Sequence, residues 1–140
     1  PNDNFDESSS HVIPGLIRRM YSAKLEGASV FNVWGDGTPL REFLYVDDLS
    51  NAIKFVIEND INEDLLNIGF GEEISIKELA LKIKKVVNFT GNIKFDTTKP
   101  NGNPRKLLDT SLIRNYGWKP EFSLDEGLKL SFNWFKQNLS

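Results

Sequence analysis

Apolar residues recur at helical spacing in several stretches, with short β-rich runs between them. Val12, Leu16, Met20 and Ala23 predict a helix over 11–26, closed by Gly27. Pro14 fits its first turn, where a missing N–H costs nothing, and Ser8, Ser9 and Ser10 stand ready as caps. Ser29 to Trp34 predicts a strand, Gly35 to Pro39 a turn, and Arg41 to Val46 a second strand. Asp47 and Asp48 then cap a helix whose buried face is Leu49, Ala52, Ile53, Val56 and Ile57. Leu65 to Ile68 predicts a short strand, and Ser75 with Glu78 a capping box ahead of a helix burying Ile76, Leu79, Ala80, Ile83 and Val87. Asn92 to Phe95 predicts another strand. Thr97 to Arg105, with Pro100, Gly102 and Pro104, is a loop, and Asp109 caps a short helix through Ile113. A second capping box, Ser123 with Glu126, opens a last helix that buries Leu124, Leu128 and Phe135. The class is therefore mixed α/β, with strands too short and few for a complete doubly wound sheet.

A chain of 140 residues with 39% hydrophobic and 26% charged residues has the means to bury a core without covalent staples. Its net charge of -3 disfavours nucleic acid, whose phosphates select basic surfaces. A small anionic ligand needs only a few local cations and is not excluded. With no cysteine, disulfides and thiolate metal sites are excluded, and a reducing cytoplasm fits. No apolar run has membrane-spanning length. The chain opens on Pro1 with no initiator Met, which reads as a piece of a longer or processed protein.

The candidate chemistry starts with what is incomplete. Gly35-Asp36-Gly37 and Gly69-Phe70-Gly71 each begin a dinucleotide fingerprint, but Leu40 and Ile74 stand where a third glycine belongs, so both read as ordinary turns. No Tyr-x-x-x-Lys pair exists, since Leu25, Leu49 and Pro120 follow Tyr21, Tyr45 and Tyr116 at that spacing. His11 is the only histidine. It reads either as a surface or capping residue or as a proton-transfer group. Arg18 and Arg19 project about 100° apart on a helix, so at most one faces a given cleft. Arg41 follows the Gly-Asp-Gly turn, and its planar fork suits a diphosphate, with Arg105 and Lys106 placed to add charge. Trp34, at a strand end, stacks on a ligand or packs in the core. Trp118 and Trp134 read as packing residues.

The run Ser10-His11-Val12-Ile13-Pro14, the run from Val33 to Asp48 containing Arg41-Glu42-Phe43-Leu44-Tyr45-Val46, and the run from Lys99 to Asp109 together resemble the GDP-L-fucose synthase family of the extended short-chain dehydrogenase/reductases. The resemblance spans nearly the whole chain. It implies a small mixed α/β substrate-binding domain over 1–140, lacking most of the Rossmann domain, with 1–10 a connecting loop from that absent part. It implies epimerisation of a GDP-4-keto-6-deoxy sugar at C3 and C5 and reduction at C4 by NADPH. Mannose-derived and heptose-derived sugars, or another nucleotide sugar, stay open as substrates. The cofactor, NADP(H), would be held mainly by the amino-terminal domain, which also carries the partner cysteine. His11 would act as the acid near that cofactor. Arg19, Trp34, Arg41 and Asn101 would contact substrate, with Asn101 standing where the family has an aspartate. The expected assembly is a cytoplasmic homodimer of the longer protein, with this chain inactive alone and no metal, nucleic acid or membrane involved.

Overall fold

The computed structural model describes residues 1–6 and 9–139. In chain order the elements are α1 (Val12–Leu25), β1 (Val30–Trp34), β2 (Leu40–Glu42), α2 (Val46–Glu58), β3 (Glu73–Ser75), α3 (Ile76–Val87), β4 (Asn92–Asp96), β5 (Arg105–Lys106), α4 (Ser111–Asn115) and α5 (Leu124–Asn138). The mixed α/β class is the observed one. Strands β1 and β4 pair in parallel, Trp34 opposite Asp96. A separate three-stranded sheet runs β3-β2-β5, antiparallel at β3 and parallel at β5.

Two apolar clusters follow from this layout. The larger joins Phe31 and Val33 of β1 to Leu16, Ile17 and Met20 of α1, Leu79, Ile83 and Val87 of α3, and Leu128, Phe132 and Phe135 of α5. Phe5, inside the expected connecting loop, belongs to it and stacks on Trp134 and Phe135. The smaller cluster joins Ala52 of α2, Ile113 of α4 and Trp118. Both capping boxes form. The Ser75 and Ser123 hydroxyls accept from the Glu78 and Glu126 amides, and each glutamate accepts from its cap residue's N–H.

Several expectations are corrected. His11, not a serine, is the N-cap of α1, and no side chain caps it. Pro14 occupies the third helical position and has no N–H for a hydroxyl to satisfy, so Ser9 instead bonds Asp6 and Asn4. Ser8 lies outside the described residues. The second strand stops at Glu42 rather than Val46, because Phe43 and Leu44 turn inward to pack. No strand forms over Leu65–Ile68. That backbone finds no ladder partner, while Leu66 and Ile68 pack on the smaller cluster. The β3 strand at Glu73–Ser75 has no counterpart among the predicted elements and exists through its pairing with β2.

Tyr45 precedes α2 as its N-cap, and Asp47 and Asp48 sit in the first turn. Asp48 is buried and accepts instead from the Glu121 and Phe122 amides. This tie fixes α2 against the segment leading into α5 and splits the predicted face: Ala52 is buried and Val56 packs on the smaller cluster, but Leu49, Ile53 and Ile57 are exposed. Thr110, not Asp109, precedes α4, with Asp109 accepting from the Ser111 amide.

Candidate functional site

Parallel pairing brings the ends of β1 and β4 side by side, and both ends turn on the same local device. Asp36 Oδ1 accepts from the Thr38 amide and hydroxyl, and Asp96 Oδ1 from those of Thr98. These bonds favour the ionised forms, so the Thr38 hydroxyl first and its amide second hold the Asp36 carboxyl below its ordinary range, and Thr98 does the same for Asp96. The two turns aim Trp34 and the loop after β4 toward the start of α1.

Between them lies an open cleft of about 540 Å³ lined by Ser10, His11, Arg19, Trp34, Ile76 and Asn101, among others. Trp34 is 63% exposed, so it is not a core residue. The Arg19 guanidinium stands 5.7 Å from the Trp34 ring centre and 5.2 Å from that of Phe31. Its Nη2 donates to the Asn32 carbonyl at 2.8 Å, which fixes its position. Arg18 points elsewhere, donating to the Phe5 carbonyl, so one arginine of the pair reaches the cleft. Lys99, which sequence reasoning did not single out, places its ammonium 5.9 Å from the Trp34 ring centre. An exposed indole flanked by two cations is suited to a flat, anionic ligand.

His11 stands at the rim with an exposed side chain, its Nδ1 3.4 Å from Asp3 Oδ1. Asn101 Oδ1 accepts from the Asp36 amide at 2.8 Å, and the Asn101 side chain also favours the ionised Asp36 carboxyl. Asn101 therefore joins the loop carrying Lys99 to the turn carrying Trp34. A carboxylate at 101 would face the Asp36 carboxylate, so an amide is the compatible side chain here. Gly35, at φ +79°, makes the approach feasible, since a Cβ there would lie 2.3 Å from Asn101 Oδ1.

Arg41 does not line this cleft. Its Nη1 donates to the Leu40 carbonyl, and its Nη2 lies 3.6 Å from where a Cβ on Gly102 would be. The β2–β5 register sets Lys106 opposite Arg41, while Arg105 is committed to Glu73 at 2.8 Å. The structure thus brings His11, Arg19, Trp34 and Asn101 together at one cleft and sets Arg41, paired in register with Lys106, beside Gly102 of the loop that Asn101 belongs to. A more enclosed hollow of about 140 Å³ lies elsewhere, lined by Pro1, Phe5, Tyr45, Val46 and Phe122 with Asp3 its single charged side chain, and it offers no cation to an anion.

Neither Gly-x-Gly turn is a dinucleotide seat. Asn101 fills the space over Gly35, Phe95 and Lys77 that over Gly37, Glu42 that over Gly69, and Arg114 with Thr110 that over Gly71. Among the described residues no cluster could hold a metal ion, and no helix is long and apolar enough to cross a membrane.

Residues 1–69 match the NAD dependent epimerase/dehydratase family. GDP-L-fucose synthase 1 of Arabidopsis thaliana is 48% identical over 139 residues, covering 99% of this chain and 43% of that protein. The structure of a GDP-L-fucose synthetase from Naegleria fowleri bound to NADP superposes with a TM-score of 0.88 at 33% identity, covering 99% of this chain and 44% of that one. The NADP-bound GDP-mannoheptose C4 reductase of Campylobacter jejuni gives 0.83 at 30% identity, covering 96% and 49%. The chain thus spans less than half the length of the relatives it matches. Its sequence and its fold together show that it belongs to the NAD dependent epimerase/dehydratase family, where it matches the carboxy-terminal part of GDP-L-fucose synthases.

Proposed function

We propose that this chain is the sugar-nucleotide-binding part of an NADP-dependent enzyme that epimerises GDP-4-keto-6-deoxy-mannose at C3 and C5 and reduces it at C4, yielding GDP-L-fucose. The observation that carries the reading is Trp34, exposed in the cleft that Arg19, His11 and Asn101 also line, with the Lys99 ammonium near its ring. The indole offers a stacking face for the base or the sugar, and the cations offset the diphosphate charge. His11, at the rim, is the group placed to give or take a proton at the sugar. Arg41, beside Gly102 of the loop that carries Asn101 and opposite Lys106, adds positive potential for the diphosphate. Residues 1–140 form the substrate domain, with 1–10 the connection to the nicotinamide-binding part. Hydride transfer belongs to that other part, because the glycine turns here are filled. The longer protein is proposed to be a cytoplasmic homodimer.

Titration calorimetry on the 140-residue chain tests the reading. GDP binds, and Trp34→Ala or Arg19→Ala weakens it about tenfold, the equivalent of roughly 1.4 kcal/mol. Arg18→Ala leaves affinity unchanged, and the chain oxidises no NADPH. GDP binding no tighter than UDP or dTDP, or unaltered by both cleft substitutions, would overturn the assignment. The superposition on a GDP-mannoheptose reductase favours a heptose as the second reading. The longer protein, offered both GDP-4-keto-6-deoxy sugars with NADPH, decides between them by which one it consumes.

A further inference from the structure

The loop between β4 and β5 is held in an unusual way. The Lys99 amide donates to the Asp96 carbonyl, and the Pro104 carbonyl accepts from the Leu40 amide. Between them, residues 100–103 make no backbone hydrogen bond among the described residues. What anchors them is the Asn101 side chain, whose Oδ1 accepts from the Asp36 amide at 2.8 Å. Asn101 is exposed and precedes Gly102, and no other Asn-Gly pair occurs in the sequence. In such a pair the glycine nitrogen can reach the asparagine side-chain carbon, because no Cβ crowds it.

Three features of the fold favour that attack. The Asp36 N–H polarises the Asn101 carbonyl and is placed to stabilise the oxyanion formed on addition. The Arg41 guanidinium is the only group within 4 Å of where a Gly102 Cβ would be, so a cation stands beside the nitrogen that must lose its proton. With no backbone hydrogen bond to break, residues 101 and 102 can rotate into the cyclising geometry at little cost.

We propose that Asn101 is a self-modification site, at which attack by the Gly102 nitrogen expels ammonia and releases the tie to Asp36. Hydroxide takes the Gly102 proton, and the nitrogen pair bonds to Asn101 Cγ. The bond from Cγ to Nδ2 breaks, and Nδ2 leaves as ammonia with a proton from water, which regenerates hydroxide. Water then opens the succinimide: cleavage at Cγ gives aspartate, and cleavage at the backbone carbonyl gives isoaspartate. Either product sets a carboxylate against that of Asp36, and isoaspartate also adds a methylene to the backbone. The loop carrying Lys99 thereby loses its strap to the turn carrying Trp34. Asn103 is an internal control, because Pro104 has no N–H to attack with.

The test holds the 140-residue chain in mildly alkaline buffer, well below its melting temperature, beside an end-blocked synthetic peptide of residues 97–106. Peptide mass spectrometry should find Asn101 converted in the chain at least as fast as in the peptide, to aspartate and isoaspartate, with Asn103 intact. A rate below the peptide's overturns the proposal, because the fold then protects Asn101. If the chain alone does not melt cooperatively, the longer protein is scored at the same residue against the same peptide. The consequence for ligand rests on the GDP reading. Converted chain, separated by its added charge on an ion exchanger, should bind GDP several-fold more weakly than fresh chain. Equal affinities overturn the release of the loop. Fresh chain that binds no GDP ends the functional reading and leaves the chemistry at Asn101 to its own measurement.

Discussion

Asn101 shows how much one side chain decides in the cleft. Its amide oxygen must face the Asp36 N–H, which leaves the amide hydrogens toward the Asp36 carboxylate. Asn101→Asp keeps the acceptor but sets two carboxylates against each other, so the loop carrying Lys99 should loosen. The expected outcome is a several-fold weaker GDP affinity, from roughly 1 kcal/mol of lost contact, with thermal stability nearly unchanged. Gly35→Ala should do more damage. Its φ of +79° is poor for alanine, and the new methyl displaces Asn101, so about 1–3 kcal/mol of stability should go, measured by urea unfolding. Acid provides a second handle. The Asp36 carboxyl is held below its ordinary value of 3.8 when folded. Its contribution is therefore complete above that value and lost as pH falls through the lower, folded one. Melting curves of the parent and Asp36→Asn should differ at neutral pH and converge in acid, as pH falls below 3.8.

Helix ends divide by whether the local sequence can satisfy them. Ser75 and Ser123 close their capping boxes from residues three apart, which sequence alone reveals. Ser123→Ala should cost about 1 kcal/mol of stability, read from chemical denaturation. Asp48 has the sequence setting of another cap and serves as a long-range tie instead. Asp48→Ala strands two part-buried amides and should cost about 2–3 kcal/mol, whereas a surface change such as Asp47→Ala should stay within about 0.5 kcal/mol. The strand expected at Leu65–Ile68 fails for a related reason: apolar residues alone do not make a strand, and Leu66 and Ile68 are buried by packing on the smaller cluster with no ladder pairing.

For the molecule as a whole, burial separates the side chains that hold the chain together from those that do not. Ile83→Ala, in the fully buried seam of α3, should cost about 2–5 kcal/mol in urea unfolding. The same truncation at Ile53 should be close to neutral in this chain, because half of that side chain is already in water. That contrast between two isoleucines of equal hydropathy follows from packing alone.

The sequence by itself determined the α/β class, the helix α1, the helices α3 and α5 with their inward faces, the two capping boxes, the strands at Val30 and Asn92, and the resemblance that named the cleft residues; in α1, Val12 is exposed and Ile17 buried instead. These rest on local spacing and local hydrogen bonds, which neighbours in the chain define. Only the tertiary structure decided that Arg19 rather than Arg18 reaches Trp34, that Lys99 joins them, that Asn101 is tied to Asp36, that Arg41 stands beside Gly102, and that the predicted face of α2 is split. Each of these depends on residues far apart in sequence meeting across the β1–β4 pair or the Asp48 tie, and where apolar residues lie on more than one side of a helix, as in α2, spacing does not say which side the neighbours will cover.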